Sequence, residues 1–324
     1  MIQKIIQTLL FLLVSIISFS QNKITVSQEP TSKYKTIQSA IDAVTFDNKK
    51  PITIYIKKGV YKERVVVDTR KDNIVLLGED KINTIITYNN HSGVKLENGD
   101  TLNTWTCASF FVYADNFHAE NLTFENNAGF TAGQAVAVRI EGNRASFKNC
   151  DIKGFQDVLF LSGSGVKQYF KNCYIEGTTD FIFGASTTVF DSCHIHSKKN
   201  SHITAASTNS IVPYGFVFLN CKLTADSSLN KVSLGRPWSP TASVSYINCW
   251  MDKHIIAEGW NNWKNSANEA TARYAEYNSK GPGANKESRA KWSKQLSKED
   301  AEKYTIKNIL GDWGLLVSRI MNYK

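Results

Sequence analysis

Proline and glycine are scarce in this 324-residue sequence, with six and nineteen residues respectively. That excludes a collagen-like chain and a linker-type chain. Cysteine is scarce as well: six over this length are too few to staple a disulfide scaffold. After the first twenty residues no apolar run approaches membrane-spanning length. Acidic residues are outnumbered, 29 against 38 basic ones, which gives a formal net charge of +9. Two signatures are missing too. There is no G-x-S-x-G elbow for a serine nucleophile, and Gly163-Ser164-Gly165 reads only as a turn. There is no glycine loop of the kind that cradles phosphate. What is present is ordinary globular material, 42% hydrophobic and 21% charged, enough to bury a core.

The first twenty residues read as a secretory signal. Lys4 supplies the basic start, Ile5 to Ile17 the apolar stretch, and Ser18 and Ser20 the small exit residues. Gln7 and Thr8 interrupt the run and argue against an uncleaved anchor. The expectation is one exported domain over 21–324, periplasmic or secreted, with no membrane association and a net charge of +8 once Lys4 is gone. A basic exported protein suits an acidic polymer better than nucleic acid, although charge serving only solubility would look the same.

The most informative feature is a repeat. Phe147-Lys148-Asn149-Cys150-Asp151-Ile152, Phe170-Lys171-Asn172-Cys173-Tyr174-Ile175 and Phe190-Asp191-Ser192-Cys193-His194-Ile195 share one pattern. Phe218-Leu219-Asn220-Cys221-Lys222-Leu223 and Tyr246-Ile247-Asn248-Cys249-Trp250-Met251 continue it, and Phe117 to Leu122 is a looser copy. The cysteines recur after 23, 20, 28 and 28 residues. Alternating apolar positions mark strands. A strand-rich unit of twenty-odd residues fits one coil of a parallel β-helix, whereas a β-propeller blade would need about twice that length. The expected class is therefore all-β. Five cysteines should stack inside as buried apolar residues. A bond between adjacent coils would also suit an oxidising compartment, and the sequence leaves that open. Thr36 to Val44 should form a helix with Thr36 as N-cap, plugging the amino end. The repeat fades after Asn248. The charged tail from Lys286, with Ser297 as N-cap of a short helix, should pack along the outside of the coils.

The repeat places polar residues. Asp157 follows Cys150 by seven residues, and Asp180 follows Cys173 by seven. They should stand side by side on successive coils. Gln134 and Gln156 are also about one coil apart, and Arg236 and Trp238 follow later in Leu234-Gly235-Arg236-Pro237-Trp238. Two adjacent carboxylates cannot both ionise freely, so one pKa should rise, while an arginine keeps its partner charged. That division supplies a nucleophile and an acid, and two amides can stabilise an oxyanion. The set suits acyl transfer from an ester. Taken singly, each residue is better explained as a turn cap or ladder member; taken as a registered group, chemistry is the better reading. His194 and His196 are read as surface residues, not metal ligands.

The chain resembles the pectin methylesterases (pectinesterases), in their bacterial form at Ala205-Ala206-Ser207-Thr208. The likeness lies in Gly59-Val60-Tyr61-Lys62-Glu63, Gly133-Gln134-Ala135-Val136-Ala137, Gly154-Phe155-Gln156-Asp157, Asp180-Phe181-Ile182-Phe183-Gly184 and Leu234 to Trp238, in family order, and extends over Ile24 to Trp292. It implies a single-stranded right-handed parallel β-helix that removes methyl esters from the galacturonate units of pectin. It further implies Asp180 as nucleophile, Asp157 as acid then base, Gln156 and Gln134 as oxyanion stabilisers, and Arg236 as the partner of Asp180. Trp238, Phe183 and Thr104 are implied as substrate contacts, and Glu63 and Tyr61 read as structural. Val158 replaces a usual threonine and Gly184-Ala185-Ser186-Thr187 departs from the common run, which bears on subsites and not on these roles. No inhibitor-like amino-terminal domain is seen. The implied partner is methyl-esterified pectin acted on by a monomer, with no metal or organic cofactor. Rival readings are a retaining glycosidase, whose carboxylates are similarly spaced, a calcium-dependent pectate lyase, and a non-catalytic polysaccharide binder.

Overall fold

A computed structural model describes residues 23–322; the secretory-signal reading of residues 1–20 therefore lies outside the described residues. Strands wind into a parallel β-helix whose three faces are sheets of eleven, seven and eight strands, each built from one strand per coil. Every pairing between the named strands is parallel, which excludes a propeller.

The repeat has a physical explanation position by position. Its aromatic residue points inward and stacks on that of the next coil. Phe147, Phe170, Phe190, Phe218 and Tyr246 form one column with ring centroids 4.8, 5.1, 4.5 and 4.4 Å apart. Each fully buried ring stabilises the fold by about 2–3 kcal/mol. The Asn or Ser that follows turns the chain in the left-handed region, with φ between 50° and 56° at Asn149, Asn172, Ser192, Asn220 and Asn248. Asparagine tolerates that conformation because its side chain bonds locally. The cysteines are free and buried. Each thiol donates to the carbonyl of the preceding coil, as Cys173 does to Phe147 at 3.6 Å and Cys221 to Phe190 at 3.3 Å. The row is a packing and hydrogen-bonding device, not a set of cross-links.

Both ends are closed. Helix α1 (Ile37–Asp42) buries Ile37, Ala40 and Ile41 against the first coils. Thr36 Oγ1 accepts the Ser39 N–H at 3.2 Å, and the Glu63 carboxylate accepts those of Ile37 and Gln38 at 2.8 and 3.0 Å. Glu63 is thus structural, as expected, and so is buried Tyr61, whose hydroxyl donates to the Lys57 carbonyl.

The coils continue past Asn248, where the sequence repeat fades. Strand Arg273–Tyr277 adds another coil, and Asn278 Nδ2 donates to Asn248 Oδ1 at 2.8 Å. The pattern was invisible because Glu276, not an aromatic, pairs with Tyr246. Glu276 is buried with Arg289, which donates to its two oxygens at 2.8 and 3.2 Å and to the carbonyls of Ile256, Ala257 and Gly283. An ion pair therefore takes the aromatic's place at this position of the repeat, while Trp260 packs on Tyr246 from elsewhere in the coil, with centroids 5.8 Å apart. Removing one partner strands a buried charge, so Arg289→Ala should cost about 3–5 kcal/mol of unfolding free energy, measured by urea denaturation. A loss below about 1 kcal/mol would show the pair is not holding that end.

Among the described residues the tail forms three α-helices rather than one: α2 (Lys298–Ala301), α3 (Ile306–Leu310) and α4 (Asp312–Asn322). Ser297 caps α2 as expected. Ile309, Leu310, Val317 and Met321 cover Tyr169, Val189, Val217 and Ile247 on the outer face of the eleven-stranded sheet. The tail thus packs along the outside of the coils, as expected; which sheet it covers was not legible, because that outer face carries apolar residues at positions the repeat leaves variable.

Candidate active site

Asp157 and Asp180 sit at turns leading from the eight-stranded into the seven-stranded sheet. Leu159 pairs with Ile182, and each aspartate lies two residues earlier on its coil. The two are therefore neighbours at the spacing of adjacent strands, about 4.8 Å. Both adopt the left-handed conformation, φ 59° at Asp157 and 49° at Asp180. Their amides bond in the same way to the next coil: Asp157 N–H to the Thr179 carbonyl at 3.0 Å, Asp180 N–H to that of His202 at 2.8 Å. A glycine stands three residues before each. A Cβ on Gly177 would lie 2.2 Å from the Phe181 Cβ, so the turn closes only without a side chain.

Arg236 lies in strand Ser233–Pro237, two coils beyond Asp180. Its guanidinium grips Asp180 bidentately, Nε to Oδ1 at 3.0 Å and Nη2 to Oδ2 at 2.5 Å. The face of Arg236 rests on the Trp263 ring, 3.7 Å from its centroid. Such a fork fixes both the direction and the charge of a carboxylate.

The two carboxyls differ electrostatically. Burial, joined by the charge of Asp180, pushes Asp157 up to about 8, against opposition from Arg236 and the Gln156 amide. Burial also raises Asp180, and the Arg236 ion pair opposes that rise. Desolvation is the largest influence on Asp180, and Arg236 acts against it in the direction the sequence suggests. The two still differ: Asp157 is raised to about 8 with the Asp180 charge among the causes, while the Arg236 ion pair favours the ionised form of Asp180 against its burial.

Gln134 and Gln156 meet as a parallel bridge between successive coils, with the Ala135 N–H bonded to the Gln156 carbonyl at 3.0 Å. Both amides line the cleft with the two aspartates and Arg236. Thr104, Phe183 and Trp238 line it too, so the fold brings every site residue expected from the sequence into one cleft of about 240 Å³.

Three contributors escaped sequence reasoning. Trp105 is half-exposed, 5.9 Å from Trp238 and 5.6 Å from Phe160 between ring centroids. Trp263 backs Arg236. His202 occupies the position equivalent to Asp180 one coil on, its Nδ1 2.7 Å from Ser233 Oγ, and burial beside Arg236 lowers its pKa to about 4. The tryptophans lie outside the repeat, in Thr104-Trp105-Thr106 and Gly259-Trp260-Asn261-Asn262-Trp263, so no periodicity flagged them. Their clustering with polar residues in turns was the available signal. His194 and His196 lie on strand His194–Ser197 of the eight-stranded sheet, outside the cleft lining, hydrogen-bonded to Thr224 Oγ1 at 2.7 and 2.8 Å.

A family model described as Pectinesterase matches residues 23–312. The chain is 40% identical to Pectinesterase 31 of Arabidopsis thaliana over 282 residues, 85% of this chain and 88% of that protein. Pectin methylesterase from carrot superposes with a TM-score of 0.84 at 30% identity, covering 93% of this chain and 97% of that one. A crystal structure of pectin methylesterase in complex with a hexasaccharide gives 0.79 at 30% identity, covering 89% and 97%. With a plant protein at 40% identity, the bacterial likeness read at Ala205–Thr208 is local to that run.

Proposed function

The chain belongs to the pectinesterase family, and we propose that its Asp157–Asp180 pair removes methyl esters from the galacturonate units of pectin through an acyl-enzyme. The observation carrying this reading is the bidentate Arg236–Asp180 contact beside a carboxyl raised to about 8.

An Asp180 oxygen attacks the C6 ester carbonyl. The carbonyl oxygen takes the negative charge and receives hydrogen bonds from the Gln156 and Gln134 amides. The tetrahedral species collapses, the C–O bond to the methoxy group breaks, and Asp157 donates its proton so that methanol leaves. The acyl-enzyme is an anhydride of Asp180 and the galacturonate. Asp157, now a carboxylate, takes a proton from water as that water attacks. Collapse releases the galacturonic acid group, which loses its proton to solvent, and restores the Asp180 carboxylate. Trp238, Trp105, Phe183 and Thr104 hold the sugar chain. The protein acts as a monomer on methyl-esterified pectin, and the reaction uses no metal or organic cofactor. The N-terminal signal reading supports export to a periplasm or beyond, where such a polymer lies.

Methanol release from highly methylated pectin, without loss of viscosity from chain cleavage, tests the reading. Cleavage without methanol would favour the glycosidase or lyase. The pH profile is a second check. The free enzyme must hold Asp157 protonated and Asp180 ionised. The kcat/KM should therefore fall as pH rises through about 8 and fall on the acid side above the ordinary aspartate range, since burial raises Asp180. A profile still climbing past pH 9 would remove Asp157 as the acid.

A further inference from the structure

A second cluster, outside the cleft lining, gathers where segments of the eight-stranded sheet approach the catalytic turns. Phe155 immediately precedes Gln156, where the chain leaves the eight-stranded sheet. Phe130 lies in the segment leading to Gln134. The two rings meet edge to face with centroids 6.1 Å apart, and Phe130 is 50% exposed. Lys198 and Lys199 follow strand His194–Ser197 of the same sheet. Lys198 Nζ lies 4.1 Å from the Phe155 centroid and is held by the Gly154 carbonyl and Glu176, both at 3.0 Å. Lys199 Nζ lies 5.7 Å from the Phe130 centroid, and its exposed ammonium has no carboxylate partner among the described residues.

The segment bearing Phe130 is anchored. Fully buried Asn126 donates to the carbonyls of Asn90 and Val136 at 2.8 and 2.9 Å and accepts the Ala128 N–H at 3.1 Å. An exposed ring is thus held beside an unneutralised ammonium. None of these four residues lines the cleft, whose aromatics belong to the side of the seven-stranded sheet.

We infer that Phe130, Phe155, Lys198 and Lys199 form a second binding platform, for a galacturonate unit that carries a free carboxylate. The C–H face of a pyranose packs on the exposed ring, and Lys199 pairs with the C6 carboxylate. A methyl ester has no charge to pair, so the platform favours the demethylated polymer over the esterified one. It rests on the reading of this chain as acting on pectin, and it assigns the product a place beside the cleft. A demethylated stretch held there keeps the same polymer close while neighbouring esters enter.

The test is isothermal titration of the full chain with fully demethylated decagalacturonate. Phe130→Ala should weaken binding about tenfold, and Lys199→Glu about fivefold or more, with the Lys199 effect shrinking in high salt. Both side chains are exposed, and thermal melts check that the variants stay folded. Wild-type affinity in both variants would overturn the platform, even if methanol release is normal. Weakened binding in a wild-type background that releases no methanol would keep the platform and sink the esterase reading instead.

Discussion

Asp180→Ala should abolish methanol release from methylated pectin, a loss of about 10⁴-fold or more in kcat. The reason is the uniqueness of its environment. Asp180 is 6% exposed, gripped by Arg236 on both oxygens, and set beside a carboxyl that holds its proton near neutral pH. No neighbour can take over its role. In the proposed mechanism Asp157 is the acid, and placing the nucleophile there would leave methanol without a proton donor. His202 is held neutral one coil away with its ring committed to Ser233. The variant also frees Arg236, whose side chain remains 23% exposed, so solvation softens the cost to stability. The measurement is a methanol assay paired with a thermal melt. A folded variant with more than about 1% of wild-type turnover would remove Asp180 as nucleophile.

Arg236→Ala should lower kcat/KM about 10³-fold, close to 4 kcal/mol of transition-state stabilisation. Burial already pushes Asp180 upward, and the Arg236 ion pair is what opposes it. Without that opposition the carboxyl becomes protonated at pH values where the wild type works, and Asp157 loses the adjacent charge that helps keep its own proton. Two signatures separate this from simple unfolding. The acid limb of the pH profile should move to higher pH, because a group with a raised pKa needs higher pH to ionise. Arg236→Lys should recover part of the rate but not the geometry, since one ammonium cannot grip two oxygens in a fork. Near-normal turnover in Arg236→Ala would contradict the role. So would a loss with an unmoved acid limb.

Much of this was legible because a coil repeats. The column from Phe147 to Tyr246 and the left-handed asparagines impose the same chemistry every twenty-odd residues, and sequence preserves that imprint. Seven-residue offsets from two cysteines were enough to align Asp157 with Asp180, because equal offsets from stacked positions end at stacked positions. Where the imprint lapses, so did legibility. Glu276 sits opposite Tyr246 with no aromatic to mark it, and Trp105 and Trp263 come from connections free of any period.

Sequence by itself determined the solenoid, the inward row of cysteines, the identity of the paired carboxylates and the closing helix at Thr36. These are local patterns repeated along one axis, and local patterns survive in a linear text. Only the tertiary structure decided how far burial raises Asp157, that the thiols are free, what backs Arg236, how the tail covers the eleven-stranded sheet, and that Phe130 and Lys199 meet beside the ridge. Those outcomes depend on desolvation and on contacts between segments far apart in the chain, and both exist only once the coils are stacked.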